Sequence, residues 1–422
     1  MTPINVLLLL LLQNAAQSAT IAPPKICRLH DFVMRRRAPP GTPPFLHTPQ
    51  HFATCNSLIL DRHELPKIQE ILAIFKVLPN TYITSLHLLG VPLSVDVVVH
   101  LAAYVATSRL QTLHLFDLDD LDETGFVILS KAMKDNIYLE RIILANMFRN
   151  IGPEAGFALR NMLSRHPTVH HIDVRGFKGG TELINVIIGA IQNPSIKSVC
   201  LRQIGLNVTG LLRLARSVSS VSSTSKLEHL DLSGNQLGDN GANIIAHRLL
   251  RENVDLVELD LSANDVTDVG ASNLAMSLEE NSHLHHLMLN DNPGITSGGV
   301  AEFVDMLIDP YYGNQMLTSL EFTPSDRARR GSPAGSGGDD KISEEVLQDL
   351  EMYLERNQKR ETRIVPVPRR KDWPHEGSVS GLGRSLIGVS GKKDFNRVSG
   401  SGYDPRQQQE QRMRRSIGRG EL

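Results

Sequence analysis

Histidine is the residue type in this 422-residue chain that first suggests chemistry: His283, His285 and His286 form the densest group, followed by His170 and His171. A zinc site needs three or four ligands converging on one point. Neighbours on a strand point to opposite faces, so His285 and His286 do not chelate together, and no metal is expected. Nucleophile and metalloprotease signatures are missing, with no G-x-S-x-G and no H-E-x-x-H. Gly391-Lys392 has no glycine five residues before it and carries Lys393 where a phosphate-binding loop needs Ser or Thr. Gly381-Leu382-Gly383 lacks the third glycine of a dinucleotide fingerprint. The chain therefore reads as a non-enzyme, with no cofactor and no small-molecule substrate.

Modification chemistry is sparse. Asn207-Val208-Thr209 is a single glycosylation sequon, and one match in a chain of this length is expected by chance. Arg329-Arg330-Gly331-Ser332-Pro333 and Arg414-Arg415-Ser416 resemble basophilic kinase sites, where phosphate would add negative charge beside the arginines. Cys27, Cys55 and Cys200 are too few and too scattered for a disulfide framework, which fits free thiols in a reducing compartment.

Charge is distributed unevenly. Within a total of -2, residues 1–50 carry +4 and residues 361–422 carry +6, leaving -12 for residues 51–360. An acidic body sits between basic ends. With hydrophobic residues at 41% and aromatics at 5%, its core must be aliphatic.

What would position these residues is a recurring L-x-x-L-x-L. It is clearest at Leu227/Leu230/Leu232, Leu256/Leu259/Leu261 and Leu284/Leu287/Leu289, each followed at the same offset by Asn235, Asn264 or Asn292. At the same phase come Cys55, Ile83, Leu110, Leu139, Val169, Ile196 and Leu317, giving ten units at intervals of 27 to 33 residues. Alternation turns the leucines into the core and the intervening residues outward. Asparagine after the strand offers an amide to adjoining turns. Each unit continues as in Leu237-x-x-x-Gly241 or Val266-x-x-x-Gly270, then apolar residues at helical spacing such as Gly270, Leu274 and Leu278.

On these residues, Leu227–Leu289 resembles the ribonuclease-inhibitor class of leucine-rich repeats, shared with Ran GTPase-activating protein and NOD-like receptor sensor arrays. The resemblance implies an α/β fold: a right-handed solenoid, or horseshoe, with an inner parallel β-sheet and outer helices. The expected organisation is a disordered leader over 1–50, a solenoid over 51–325 and a flexible insertion over 326–341. A capping helix over 342–360 and a disordered basic tail over 361–422 complete it. Ser57–Lys76 reads as a degenerate first unit. Ser343 is the expected cap of the final helix, whose stripe is Val346, Leu350, Met352, Tyr353 and Leu354; the alternative is a free amphipathic helix that binds a partner. The run Val6–Leu12 is too short to span a bilayer and leaves two readings, a targeting segment or a plain leader.

The outward strand positions predict the binding surface. Early units offer Ser57/Ile59, Ser85/His87, Thr112/His114 and Arg141/Ile143, neutral to weakly basic. Later units offer Asp173, His229, Asp231, Glu258, Asp260, His286, Met288 and Glu321, a near-continuous acidic row. Such a row repels itself and suits a protein partner with a basic segment; aspartate as ordinary filler of the repeat is the competing explanation. The chain's own tail, Arg363 to Arg419, is a second cationic candidate. Only Asp372-Trp373-Pro374 offers an aromatic there, so the stacking surfaces of nucleic-acid binders are missing. Membrane binding is likewise not expected. Solenoids with degenerate early repeats and basic tails are similar in style to those on cilia, flagella and the cytoskeleton, which implies a cytoplasmic protein. The resemblance also implies two alternatives, GTPase activation of the Ran type and, if the leader is cleaved, a secreted or surface recognition protein. Free cysteines weigh against the second.

Overall fold

A computed structural model describes residues 26–28, 55–62 and 68–361, the last without 119, 148–150, 179, 220–223, 252–254, 310–312 and 323–341. The leader, apart from residues 26–28, the insertion and the tail beyond Glu361 lie outside the described residues.

The described strands form one parallel sheet in strict chain order: β1 (Ile26–Arg28), β2 (Ser57–Asp61), β3 (Ser85–Leu89), β4 (Thr112–Phe116), β5 (Arg141–Ala145), β6 (His171–Asp173), β7 (Ser198–Cys200), β8 (His229–Asp231), β9 (Glu258–Asp260), β10 (His286–Met288) and β11 (Ser319–Glu321). The repeat fixes the register: Leu230, Leu259, Leu287 and Leu320 lie side by side across four strands. A one-residue slip would turn every leucine to solvent.

A helix follows each strand from β2 onward: α1 (Ile68–Val77), α2 (Val95–Thr107), α3 (Glu123–Asp135), α4 (Pro153–Leu163), α5 (Gly180–Ala190), α6 (Val208–Ser219), α7 (Gly238–Ile244, running into a π-turn Ile245–Leu250), α8 (Asp268–Leu278), α9 (Ser297–Ile308) and α10 (Glu344–Glu361). The core is aliphatic, as composition requires: Leu58, Leu60, Leu113, Leu259, Leu274 and Leu287 are all fully buried.

Two polar ladders stitch the units. In the first, Asn264 Oδ1 accepts from Asn235 N, and Asn292 Oδ1 accepts from Asn264 N, each at 3.0 Å. Their amide groups donate to carbonyls, Asn264 Nδ2 to Leu232 O at 3.0 Å and Asn292 Nδ2 to Leu261 O at 3.0 Å. Earlier units place buried Val91, Leu118, Met147, Phe177 and Ile204 at this offset, and in β2 to β5 the strand is two residues longer. The second ladder follows the helices: Asn136, Asn193, Asn281 and Asn314 donate to carbonyls of the unit before. His166 substitutes for asparagine in one unit, its Nε2 lying 3.0 Å from Met133 O.

Three expectations are corrected. First, β1 precedes the unit read as the first, pairing Cys27 with Leu58 inside the stretch expected to be a leader. Second, Cys27 and Cys55 form a disulfide across 28 residues, so they are not free thiols; only Cys200 is free. Third, Met352 is 53% exposed and lies off the buried stripe of α10. Along α10, Leu350 and Leu354 are buried, and Asn357 Nδ2 donates to Asn314 O and Leu317 O, continuing the second ladder. Ser343 begins this helix, its hydroxyl accepting from Val346 N at 3.4 Å.

Candidate functional site: the concave face

The alternation that buries the leucines leaves two rows facing out of the sheet. One runs Ser198, His229, Glu258, His286, Ser319; the other runs Asp173, Cys200, Asp231, Asp260, Met288, Glu321. The expected site residues therefore share one surface across β6 to β11. Their environments differ.

Asp173 is fully buried and bound by Arg175, whose Nε donates at 2.8 Å and whose backbone N donates at 3.0 Å. Burial alone would raise its pKa, but the Arg175 bonds outweigh this and hold it below the usual carboxylate range. Its charge is neutralised locally, and nothing of it is left for a partner. Arg175 lies two residues on, in the turn that follows β6.

Asp231 and Asp260 stand opposite each other in adjacent strands. Each accepts the backbone N–H two residues ahead, from Ser233 and Ser262, at 2.8 Å. This bond satisfies a donor as the chain leaves the strand, which explains why aspartate suits the position in the repeat. Asp231 also accepts from the Ser233 hydroxyl and from Cys200 Sγ, the latter at 3.1 Å. All these donors are neutral. Burial pushes the Asp260 pKa up and repulsion from Asp231 adds to it, opposed by the Ser262 bonds and by Arg202. Burial, with Asp173 and Asp231 beside it, pushes the Cys200 thiol up, so it stays protonated.

Glu258 meets His229, with Nδ1 to Oε2 at 2.9 Å, both side chains partly exposed. Glu321 is exposed and accepts from Asn290 Nδ2 at 3.0 Å. His286 is exposed, and Met288 interrupts the acids between Asp260 and Glu321.

The N-terminal half of the face has the opposite character. Nδ1 atoms of His87 and His114 lie 3.1 Å apart, an arrangement only a neutral ring can complete. Burial lowers both pKa values, His114 to about 4 with help from His87. Burial likewise takes His171 down to about 4, with Arg141 adding to it. Among the described residues no three or more His, Cys, Asp or Glu side chains are disposed to hold a metal, and no helix is long and apolar enough to cross a membrane. On the outer side, Val127, Lys131 and Lys134 of α3 and Phe157, Ala158 and Met162 of α4 line a groove of about 540 Å³.

Comparison with known proteins agrees with this repeat. A family model described as Leucine Rich repeat matches residues 225–245, 252–275 and 280–304, the units that carry the asparagine ladder. Pig (Sus scrofa) ribonuclease inhibitor is 24% identical over 208 residues, 49% of this chain and 44% of that protein. The matched units are leucine-rich repeats, and the chain is similar to ribonuclease inhibitor over about half its length. The human protein NACHT, LRR and PYD domains-containing protein 14 is 28% identical over 199 residues, 46% of this leucine-rich-repeat chain and 18% of that protein. This repeat protein thus spans less than half the length of the curated relatives it matches. Among solved structures, the leucine-rich repeat-containing protein LegL7 of Legionella pneumophila covers 78% of this chain and 98% of its own, at 19% identity and a TM-score of 0.46.

Proposed function

We propose that this leucine-rich-repeat protein is a non-catalytic scaffold whose concave face, over β8 to β11, grips a basic segment of a protein partner. The observation that carries this reading is the juxtaposition of Asp231 and Asp260, bonded directly only by neutral groups, with Glu258 and Glu321 on the same surface. A cationic side chain between them would relieve a repulsion the free protein bears. Asp173 is outside the contact set because Arg175 occupies it. His229, His286 and Met288 supply polar and soft apolar contact beside the acids.

The basic tail is a competitor for the same strip. Tethered to the body at high effective concentration, it lowers partner affinity and, because salt loosens its own hold too, makes the salt dependence of partner binding shallower. The test is proximity labelling with the full-length chain and with Asp231→Asn/Asp260→Asn/Glu321→Gln. Loss of a defined set of labelled proteins in the variant is expected. An unchanged set refutes the acidic strip as the grip. Deleting residues 361–422 is expected to tighten binding of that set; no change in affinity or in salt dependence refutes the tail's part.

A further inference from the structure

Two features remain outside the concave face: the Cys27–Cys55 disulfide at the first strands and the sequon Asn207-Val208-Thr209 at the start of α6. We propose that Asn207 carries an N-linked glycan, added to the chain in the oxidising compartment that also closes the Cys27–Cys55 disulfide.

Asn207 and Thr209 are both exposed, and Val208 between them is 42% exposed. Asn207 Oδ1 accepts from Gly210 N at 2.8 Å, while Nδ2 donates to no described residue. Glycosylation uses Nδ2 and keeps the amide carbonyl, so the bond that caps α6 survives the modification. The site belongs to the helical side of its unit, so a glycan leaves the acidic strip clear.

The disulfide supplies the compartment. Cys27 and Cys55 are 2% and 1% exposed, each in a core position of its strand unit. Joining them takes two electrons and two protons from the thiols, accepted by a disulfide-bearing oxidoreductase that becomes a dithiol. Such bonds form and persist in secretory and extracellular surroundings. A leftover cysteine is a liability there. Cys200 avoids it by burial at 8% exposure and by giving its S–H to Asp231. In the glycan transfer, Nδ2 attacks the anomeric carbon of a glycosyl pyrophosphate. The new C–N bond replaces the C–O bond, whose electron pair leaves on the pyrophosphate, and the transferase takes the amide proton.

The test expresses the full chain from its own Met1 in cultured insect cells, followed by intact-mass and peptide mass spectrometry before and after peptide-N-glycosidase F. An oligosaccharide is expected on the wild type and on Thr209→Ser, absent from Asn207→Gln and Thr209→Ala, with enzymatic release leaving aspartate at position 207. Alkylation of the denatured, unreduced protein is expected to find one thiol. An unmodified Asn207 peptide, or three alkylated cysteines, overturns the proposal. Both readings come from the wild-type chain, so a variant that fails to fold does not remove the test.

Discussion

Replacing Asn264 with alanine tests how this array holds its turns. Asn264 is fully buried and touches four backbone groups. Two are carbonyls, Leu232 O and Ser262 O, and each keeps another donor after the change: Asn235 Nδ2 for the first, Gly234 N for the second. The other two are donors, Asn235 N at 3.0 Å and Leu237 N at 3.4 Å, and the Asn264 amide is the side-chain acceptor serving both. Two buried N–H groups lose that acceptor at about 1–3 kcal/mol each, the longer bond at the low end, so Asn264→Ala is expected to cost about 2–5 kcal/mol. Because units couple mainly to their neighbours, the loss is local first. Urea denaturation followed by circular dichroism gives the total, and amide exchange locates it. Protection should fall at residues 230–240 and 258–268 and hold at the buried strands of β3 and β4. A change below about 1 kcal/mol, or exchange that rises evenly along the chain, refutes the claim that stranded donors dominate.

Further outcomes follow from other residues. Ala263 sits at φ +54, a left-handed conformation costly for a residue with a Cβ, so Ala263→Gly is expected to stabilise by about 0.5–1 kcal/mol in the same denaturation assay. Gly176 occupies the equivalent turn at φ +66, where a Cβ would meet Asn146 Oδ1, so Gly176→Ala is expected to destabilise by more than 1 kcal/mol, roughly. His114 and His171 titrate near 4 in the folded protein, against 6.5 as their ordinary value. The unfolded chain therefore takes up protons first, and stability falls as pH drops from about 6.5 to about 4. A pH series on His171→Gln should show a shallower fall than wild type. Removing the disulfide with Cys27→Ser should free β1 and lower stability by about 3–4 kcal/mol on the loop-entropy estimate for a 28-residue separation, seen as a shift in the thermal midpoint. Asp260→Asn keeps an acceptor for Ser262 N and removes the repulsion from Asp231, so it should raise stability by a few tenths of a kcal/mol while weakening capture of basic partners.

The strands β2 to β11 are legible in the sequence because period and register coincide: each L-x-L fixes which side faces the core. Ile26–Arg28 is not, since a three-residue strand with one core residue, Cys27, carries no periodicity. Its partner, Cys55, occupies a position of the repeat, so the spacing itself gives no sign of the disulfide. The second ladder did leave a signal, an asparagine or histidine three residues before Leu139, Val169, Ile196, Leu284 and Leu317, but helix C-terminal polar residues are common enough to pass as solvent-facing. For the candidate site, strand alternation puts all the acidic residues on one face. It does not reveal that Arg175 folds back onto Asp173, because that depends on a side-chain conformation rather than on spacing.

The asparagine ladder also bears on how such a chain changes length over generations. Asn264 accepts from the unit before and donates its own N–H to the unit after, so each unit carries one half of both junctions. A tandem copy of residues 256–283 would arrive with a donor for the next unit and an acceptor for the last, and its Leu259 would extend the leucine row without a new contact having to be invented. Growth by duplication is open in this half of the array. Units of the β2 to β5 type, with longer strands and no such amide, offer no equivalent joint, which predicts that related chains differ in unit number after β7 more than before it.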